Sequence, residues 1–226
     1  MRKSPLLGEV GRDDNAGLSE NKGMGCKFMT AVRELPSHWI KLNLGCNRNA
    51  LDGWVNVDIQ PLPGVDMVVD LGQRWPWDDG SIHYIRAFDV FEHLPDPINT
   101  MNEAWRVLGH GGLLEVLVPS TDGRGAFQDP THVSYWNRNS FFYYSRKYFA
   151  SLYPDRIKCD FNFATFDTSV DENGVIWTWA LCRAAKGEGR EPVVPREWFR
   201  ALSAPNKMDR IIKGYRGHSM GTMPQS

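Results

Sequence analysis

Between residues 38 and 120 the apolar positions fall in short, evenly spaced blocks rather than long helical stripes. In "IKLNLG", Ile40, Leu42 and Leu44 supply one face of a strand. "GWVNVDI" predicts a second strand, "GVDMVVDLG" a third that ends at Asp70, and "SIHYIRAFDV" a fourth. "GGLLEVLVPS" predicts a fifth, almost continuously apolar, as in a strand covered on both faces. One span carries a helical period. In "PDPINTMNEAWRVLGHGG", Ile98, Met101, Ala104, Trp105 and Leu108 share a face, Pro97 suits the first turn and Gly109 the stop. "NRNALDG" and "QRWPWDDG" are too short for full crossover helices. Strands alternating with such segments imply an α/β chain with a mostly parallel sheet.

Beyond Ser120 runs a polar and aromatic insert, "TDGRGAFQDPTHVSYWNRNSFFYYSRKYFASLYPD". Asn139 or Ser140 is expected to cap a helix reaching about Leu152, with Phe141, Tyr144, Tyr148 and Leu152 as its core stripe. "IKCDFNFATFDTSV" and "GVIWTWALCRAA", joined at Asn173-Gly174, predict an antiparallel hairpin. The expected organisation is a flexible extension over 1–37, a domain over 38–186, and a tail over 187–226. Short helices are expected in "FMTAVRELP" and "NKMDRIIKGY".

Composition changes this picture little. The chain has 226 residues, 42% of them hydrophobic, and a net charge of −1, so there is no global pull toward nucleic acid or membrane. The basic residues near Lys207 read as a solvated face. Cys26, Cys46, Cys159 and Cys182 form no C-x-x-C pair and lie at no metal-ligand spacing from a histidine, so no metal is expected. Reduced thiols and the lack of an apolar run of about 20 residues point to a cytoplasmic protein.

The candidate chemistry begins at "LNLGCN". In an open parallel sheet, ligands sit beyond the carboxyl ends of the strands. Gly45 stands there, and its missing Cβ would let a ligand approach the backbone. Asp58 closes the second strand, where its carboxylate suits ribose hydroxyls. Asp70 closes the third, where it suits an exocyclic amine, with the Leu71 N–H suiting a ring nitrogen. A dinucleotide oxidoreductase is the rival on the same sheet. The absence of G-x-G-x-x-G and of a long first crossover helix, whose N-terminus would hold a pyrophosphate, counts against it.

Four stretches, "LNLGCN", "GWVNVDI", "FDVFEHLPD" and "RVLGHGGLLEVLVP", resemble those of class I S-adenosylmethionine-dependent methyltransferases. The resemblance covers about 41–149. It implies a Rossmann-like three-layer sandwich, its mostly parallel seven-stranded sheet ending in an antiparallel hairpin. It also implies S-adenosylmethionine as cofactor. Carried over by position, Gly45, Cys46 and Asn47 line the methionine part, Asp58 and Ile59 hold ribose and adenine, and Asp70 and Leu71 flank adenine. Phe88 and Asp89 meet the methionyl end. Two positions depart from the family pattern: Asn43 stands where an acid is common, and Asn47 where glycine is usual. Asparagine tolerates positive φ better than most residues.

Methyl transfer is an in-line displacement, and a base is needed only when the acceptor must lose a proton. His93 in "FEHLPD" and His132 in "QDPTHVSYW" are the candidates. Asp129 is expected to orient His132, bind substrate, or build a turn with its own backbone. Tyr135 and Trp136 are the expected pocket side chains. The activity expected is transfer to an O or N acceptor, a small molecule or a sugar, with no nucleic-acid or membrane partner. The alternative is a non-catalytic domain of the same fold that binds the cofactor or a protein.

Overall fold

The apolar blocks become one seven-stranded sheet in a computed structural model, which describes residues 35–187 and 189–203. The strands are β1 (Lys41–Leu44), β2 (Val55–Asp58), β3 (Met67–Val68), β4 (Ile82–Phe88), β5 (Leu108–Pro119), β6 (Phe161–Val170) and β7 (Ile176–Ala184). Their order is β3-β2-β1-β4-β5-β7-β6. The pairs from β3 across to β5 are parallel, whereas β7 is antiparallel to both β5 and β6. The hairpin turns at Gly174, whose φ of +73° suits the Asn-Gly pair. Strand order reverses between β1 and β4, which opens a crevice at their carboxyl ends. The Rossmann-like α/β architecture is the one expected.

β5 is buried almost throughout. Glu115 in its middle accepts from Tyr84 Oη at 2.7 Å and Trp179 Nε1 at 3.1 Å, so its carboxylate is not left bare in the core. Helix α1 (Pro97–Val107) starts where Asp96 Oδ1 accepts from the N–H groups of Ile98 and Asn99, a cap that contributes about 1 kcal/mol. Met101, Ala104 and Val107 are fully buried. No helix fills the crossover after β3. Trp75 and Trp77 pack edge to face there, with centroids 6.1 Å apart. Arg106 of α1 donates to the carbonyls of both, tying this loop to the helix.

Several local expectations are corrected. β3 spans two residues, so Asp70 lies past its end. The α1 helix stops at Val107, not at Gly109, because Leu108 pairs with Ile82 and already belongs to β5. Gly111 lies within β5 at φ +75°. The helix of the aromatic insert is capped by Asn137, which accepts from Asn139 and Ser140 N–H. Helix α2 (Gly125–Gln128) precedes it, and α3 (Arg138–Phe141) lasts one turn. Backbone then becomes extended at Ser145, where Asp160 Oδ1 takes the Arg146 N–H at 2.8 Å. Of the expected stripe, Phe141 and Tyr144 are buried but Tyr148 and Leu152 are exposed. Helix α4 (Arg196–Leu202) was not foreseen. Trp198 on it meets Trp39 edge to face at 5.6 Å. The helices expected in "FMTAVRELP" and "NKMDRIIKGY" fall in or run into the residues outside the described ones.

Candidate active site

Parallel register brings the strand ends level. Leu44 pairs with Val57 on one side and Ala87 on the other, and Asp58 pairs with Val68. Gly45, Asp58 and Phe88 therefore share one edge of the sheet, with Asp70 just beyond it. Among the described residues, two that are not glycine have positive φ: Asn47 at 45° and Asp89 at 60°. Both sit on this edge, one after β1 and one after β4. Strained backbone of this kind gathers at functional sites.

The turn after β1 is closely specified. Gly45 has φ +58°, and a Cβ there would overlap Val90 Cγ2. Space at Gly45 is thus filled by a side chain from the loop after β4, rather than kept open for a ligand as its sequence suggested. Cys46 N–H donates to Val57 O at 3.0 Å and Asn47 N–H to Asp58 Oδ2 at 2.8 Å. Asp58 Oδ1 accepts from Gln60 N–H at 3.0 Å. These two N–H groups aim the half-buried carboxylate and leave its remaining lone pairs for an added donor. Ile59 beside it is 65% exposed, an apolar surface suited to a flat ring. Asp70 Oδ1 takes the Gly72 N–H at 2.8 Å, while Leu71 is buried and its carbonyl accepts from Trp75 Nε1. The Cys46 thiol is pushed up to about 11 by burial, with Asp58 and Asp66 adding to the shift, so it is neutral at physiological pH.

Three residues that the motifs do not single out as site residues hold this loop. Asn43, buried in β1, donates to Asn49 O at 2.9 Å and Asn56 Oδ1 at 3.0 Å and accepts from Arg86 at 2.9 Å. Asn56 accepts from Leu51 N–H at 2.8 Å, and its own N–H donates to Asp66 Oδ2 at 2.8 Å. The guanidinium of Arg86 also lies 3.8 Å from the centroid of the Phe88 ring. The departure at Asn43 thus builds an amide network in place of a charge. A signal existed: "LNL" and "VNV" place an asparagine inside each of two adjacent buried strands.

Past Phe88 and Asp89, the "FEH" turn and the "DPTH" loop are bound together. The Val133 and Ser134 N–H groups donate to Glu92 O, and Ser134 Oγ donates to Phe91 O at 2.8 Å. His93 and His132 meet edge to face with centroids 4.9 Å apart. His132 Nδ1 lies 3.0 Å from Ala126 O, and a carbonyl only accepts, so Nδ1 carries the proton. His93 Nδ1 lies 3.3 Å from Thr131 O and 3.2 Å from Thr131 Oγ1. That hydroxyl donates to Asp129 Oδ1 at 2.6 Å, so His93 Nδ1 is again the donor. In the neutral form of each ring this leaves Nε2 as the nitrogen with the free lone pair. Asp129 builds the turn, accepting from Thr131 N–H and Oγ1, and these bonds hold its carboxyl below the usual carboxylate range. Its other oxygen is 3.9 Å from His132 Nε2, too far for a hydrogen bond.

Glu92 is 1% exposed, and neither of its carboxyl oxygens meets a hydrogen-bond donor among the described residues; its polar side-chain neighbour is the Asp89 carboxyl. Burial and the neighbouring Asp89 carboxylate push it well above the usual carboxylate range. Tyr135 is exposed and Trp136 is 1% exposed. The Trp136 indole N–H is spent on Ser134 Oγ, and the ring packs on Phe91, Phe141 and Tyr144. Trp136 is therefore mainly a core residue. Both residues still border a cavity of about 370 Å³ that also touches Pro97, Asn137, Asn139 and Tyr143.

Residues 47–116 match a family model described as a methyltransferase domain. That stretch reads as a methyltransferase domain, and the sheet around it has the fold of class I S-adenosylmethionine-dependent methyltransferases. The matched span includes Asp58, Asp70, Asp89, Glu92 and His93. A SAM-dependent methyltransferase from Methanosarcina mazei is 12% identical, with 70% of this chain and 98% of that one covered at a TM-score of 0.50. The 1,6-didemethyltoxoflavin-N1-methyltransferase of Burkholderia thailandensis, solved with S-adenosylhomocysteine, is 11% identical, with 72% and 77% covered at 0.50. The [4+2]-cyclase SpnF is 12% identical, with 72% and 81% covered at 0.51. At such identities the likeness establishes the fold, and the cyclase illustrates that one fold serves more than one reaction. No curated protein matches the chain.

The cofactor of the methyltransferase domain is S-adenosylmethionine, which supplies a sulfonium methyl group when bound. The edge fits it: a carboxylate pre-aimed by two N–H groups, with an exposed apolar residue next to it. Among the described residues no helix is long and apolar enough to cross a membrane.

Proposed function

We propose that the methyltransferase domain moves the methyl group to an oxygen or nitrogen of a small molecule or sugar. Asp58 and Ile59 would hold the ribose and adenine, and Asp70 and Leu71 would flank the adenine. Gly45, Cys46, Asn47, Phe88 and Asp89 would line the methionyl end. The single observation that carries the acceptor reading is the pairing of His93 with His132 just past the end of β4. Each has its Nδ1 within reach of a backbone carbonyl, which leaves Nε2 as the basic nitrogen of the neutral ring. An acceptor hydroxyl there would lose its proton to this cluster, His132 first, as its oxygen attacks the methyl carbon, and an ammonium would lose its proton before its nitrogen attacks. The cavity bordered by Tyr135, Asn137, Asn139 and Tyr143 adds aromatic rings beside amides, a lining that suits a sugar face. Its volume of about 370 Å³ lies at the small-ligand end of binding pockets.

The test is a screen for acceptor-dependent release of S-adenosylhomocysteine, using sugars, phenols and small amines. Turnover on one class, lost in His132→Ala, supports the reading. Cofactor binding with no turnover on any class would favour a non-catalytic role.

A further inference from the structure

A buried carboxyl without a partner is costly, and the molecule keeps one at Glu92, between the histidines of two distant loops. One oxygen of Glu92, one nitrogen of His93 and one of His132 all lie within 4.8 Å of one another. We propose that Glu92, His93 and His132 bind a divalent transition cation, zinc being the best match to two imidazoles and one carboxylate.

Three features carry this beyond a chance cluster. Glu92 is sealed from solvent, meets no hydrogen-bond donor among the described residues, and has an oxygen within 4.8 Å of a nitrogen of each imidazole. Both imidazoles are oriented as metal ligands usually are, with Nδ1–H donated to a backbone carbonyl, Ala126 O for His132 and Thr131 O for His93. The two loops are also fixed to each other before any ion arrives, since Val133 and Ser134 N–H hold Glu92 O. Asp129 Oδ2, 3.9 Å from His132 Nε2, adds negative charge at the rim. No metal was expected from the sequence, because the spacing rules look for ligands close in the chain. Here Glu92 and His132 come together only through the fold.

Three protein ligands leave a coordination position open. The proposal rests on the methyl-transfer reading above and replaces its histidine base with a metal-held acceptor. A hydroxyl oxygen bound at that position would be more acidic, as zinc-bound water is. Its proton would pass to water, its oxygen would bond to the methyl carbon, the carbon–sulfur bond would break, and neutral S-adenosylhomocysteine would leave. His93 and His132 would then hold the cation rather than take the proton themselves.

The experiment uses the tag-free full chain, stripped with chelator and titrated with zinc chloride by calorimetry, with cobalt(II) absorption as a second readout. Wild type is expected to bind one equivalent, with ligand-field bands in the visible from cobalt. Glu92→Gln and His132→Ala should each weaken binding by at least about 10-fold, the range in which loss of even a supporting partner falls. Glu92→Gln keeps the side-chain shape, and its circular dichroism confirms the fold. Absence of binding in wild type, or binding in both variants as tight as in wild type, overturns the proposal. A parallel titration with S-adenosylhomocysteine separates the outcomes: cofactor binding without zinc binding removes the metal site and leaves the methyltransferase reading intact.

Discussion

The Val90 side chain occupies the space that a Cβ on Gly45 would need, so the turn after β1 and the loop after β4 interlock at the carboxyl edge of the sheet. Gly45→Ala meets two penalties: a left-handed φ, worth about 1–2 kcal/mol, and overlap with Val90. The melting temperature of Gly45→Ala should fall. Adding Val90→Ala should restore the steric part and not the backbone part. Additive losses in the double variant would show that the two residues do not interact.

The amide network makes a separate prediction. Asn56→Ala removes the acceptor for Leu51 N–H and a partner of Asn43. Each buried group left unpaired costs about 1–3 kcal/mol. Stability should drop by about that amount in a urea melt, and cofactor affinity should weaken although no cofactor contact is removed. Unchanged affinity in the folded variant would detach the network from the site.

His132→Ala should slow turnover by at least about 100-fold while leaving cofactor affinity nearly intact. Loss of folding would instead assign His132 to the structure of the DPTH loop, through its bond to Ala126 O. His132→Gln, an amide of related reach, tells these apart: refolding without recovered turnover returns the residue to chemistry.

Arg106 links α1 to the crossover after β3, donating to Glu103, Asp79 and the carbonyls of Trp75 and Trp77. Burial raises the Glu103 carboxyl, but hydrogen bonds from Arg106 and the Trp75 N–H outweigh it, so the group lies below its ordinary value. A depressed carboxyl stabilises the fold above its unfolded pKa, about 4.3, and that contribution is lost as pH falls through the folded value. Thermal melts of wild type and Glu103→Gln should therefore differ most above about pH 4.3 and converge below it. A constant gap across pH would contradict the linkage.

The parallel strands were legible because their apolar blocks are dense and their ends carry glycine or acid. Asp58 was legible because a strand-ending carboxylate has a position and a charge. What escaped depended on contacts between distant segments. The α1 helix stops early because Leu108 pairs with Ile82, which no local stop signal encodes. The aromatic insert reads as one helix by periodicity, yet Asp160 takes the Arg146 N–H and breaks it. Trp136 looked like a pocket residue, but Phe91, 45 positions upstream, draws it into the core. The partnerless burial of Glu92 is likewise invisible until the DPTH loop closes over it.

The central claim is that the edge formed by Gly45, Asp58 and Phe88 holds the adenosine and methionine parts of S-adenosylmethionine. The most direct test is calorimetric titration of wild type and Asp58→Ala with S-adenosylmethionine and S-adenosylhomocysteine, with NADH as a control. Micromolar binding of both cofactor forms, none of NADH, and a loss of about 1.5–3 kcal/mol in Asp58→Ala are expected. Equal affinity in the variant, or binding of NADH alone, would contradict the account.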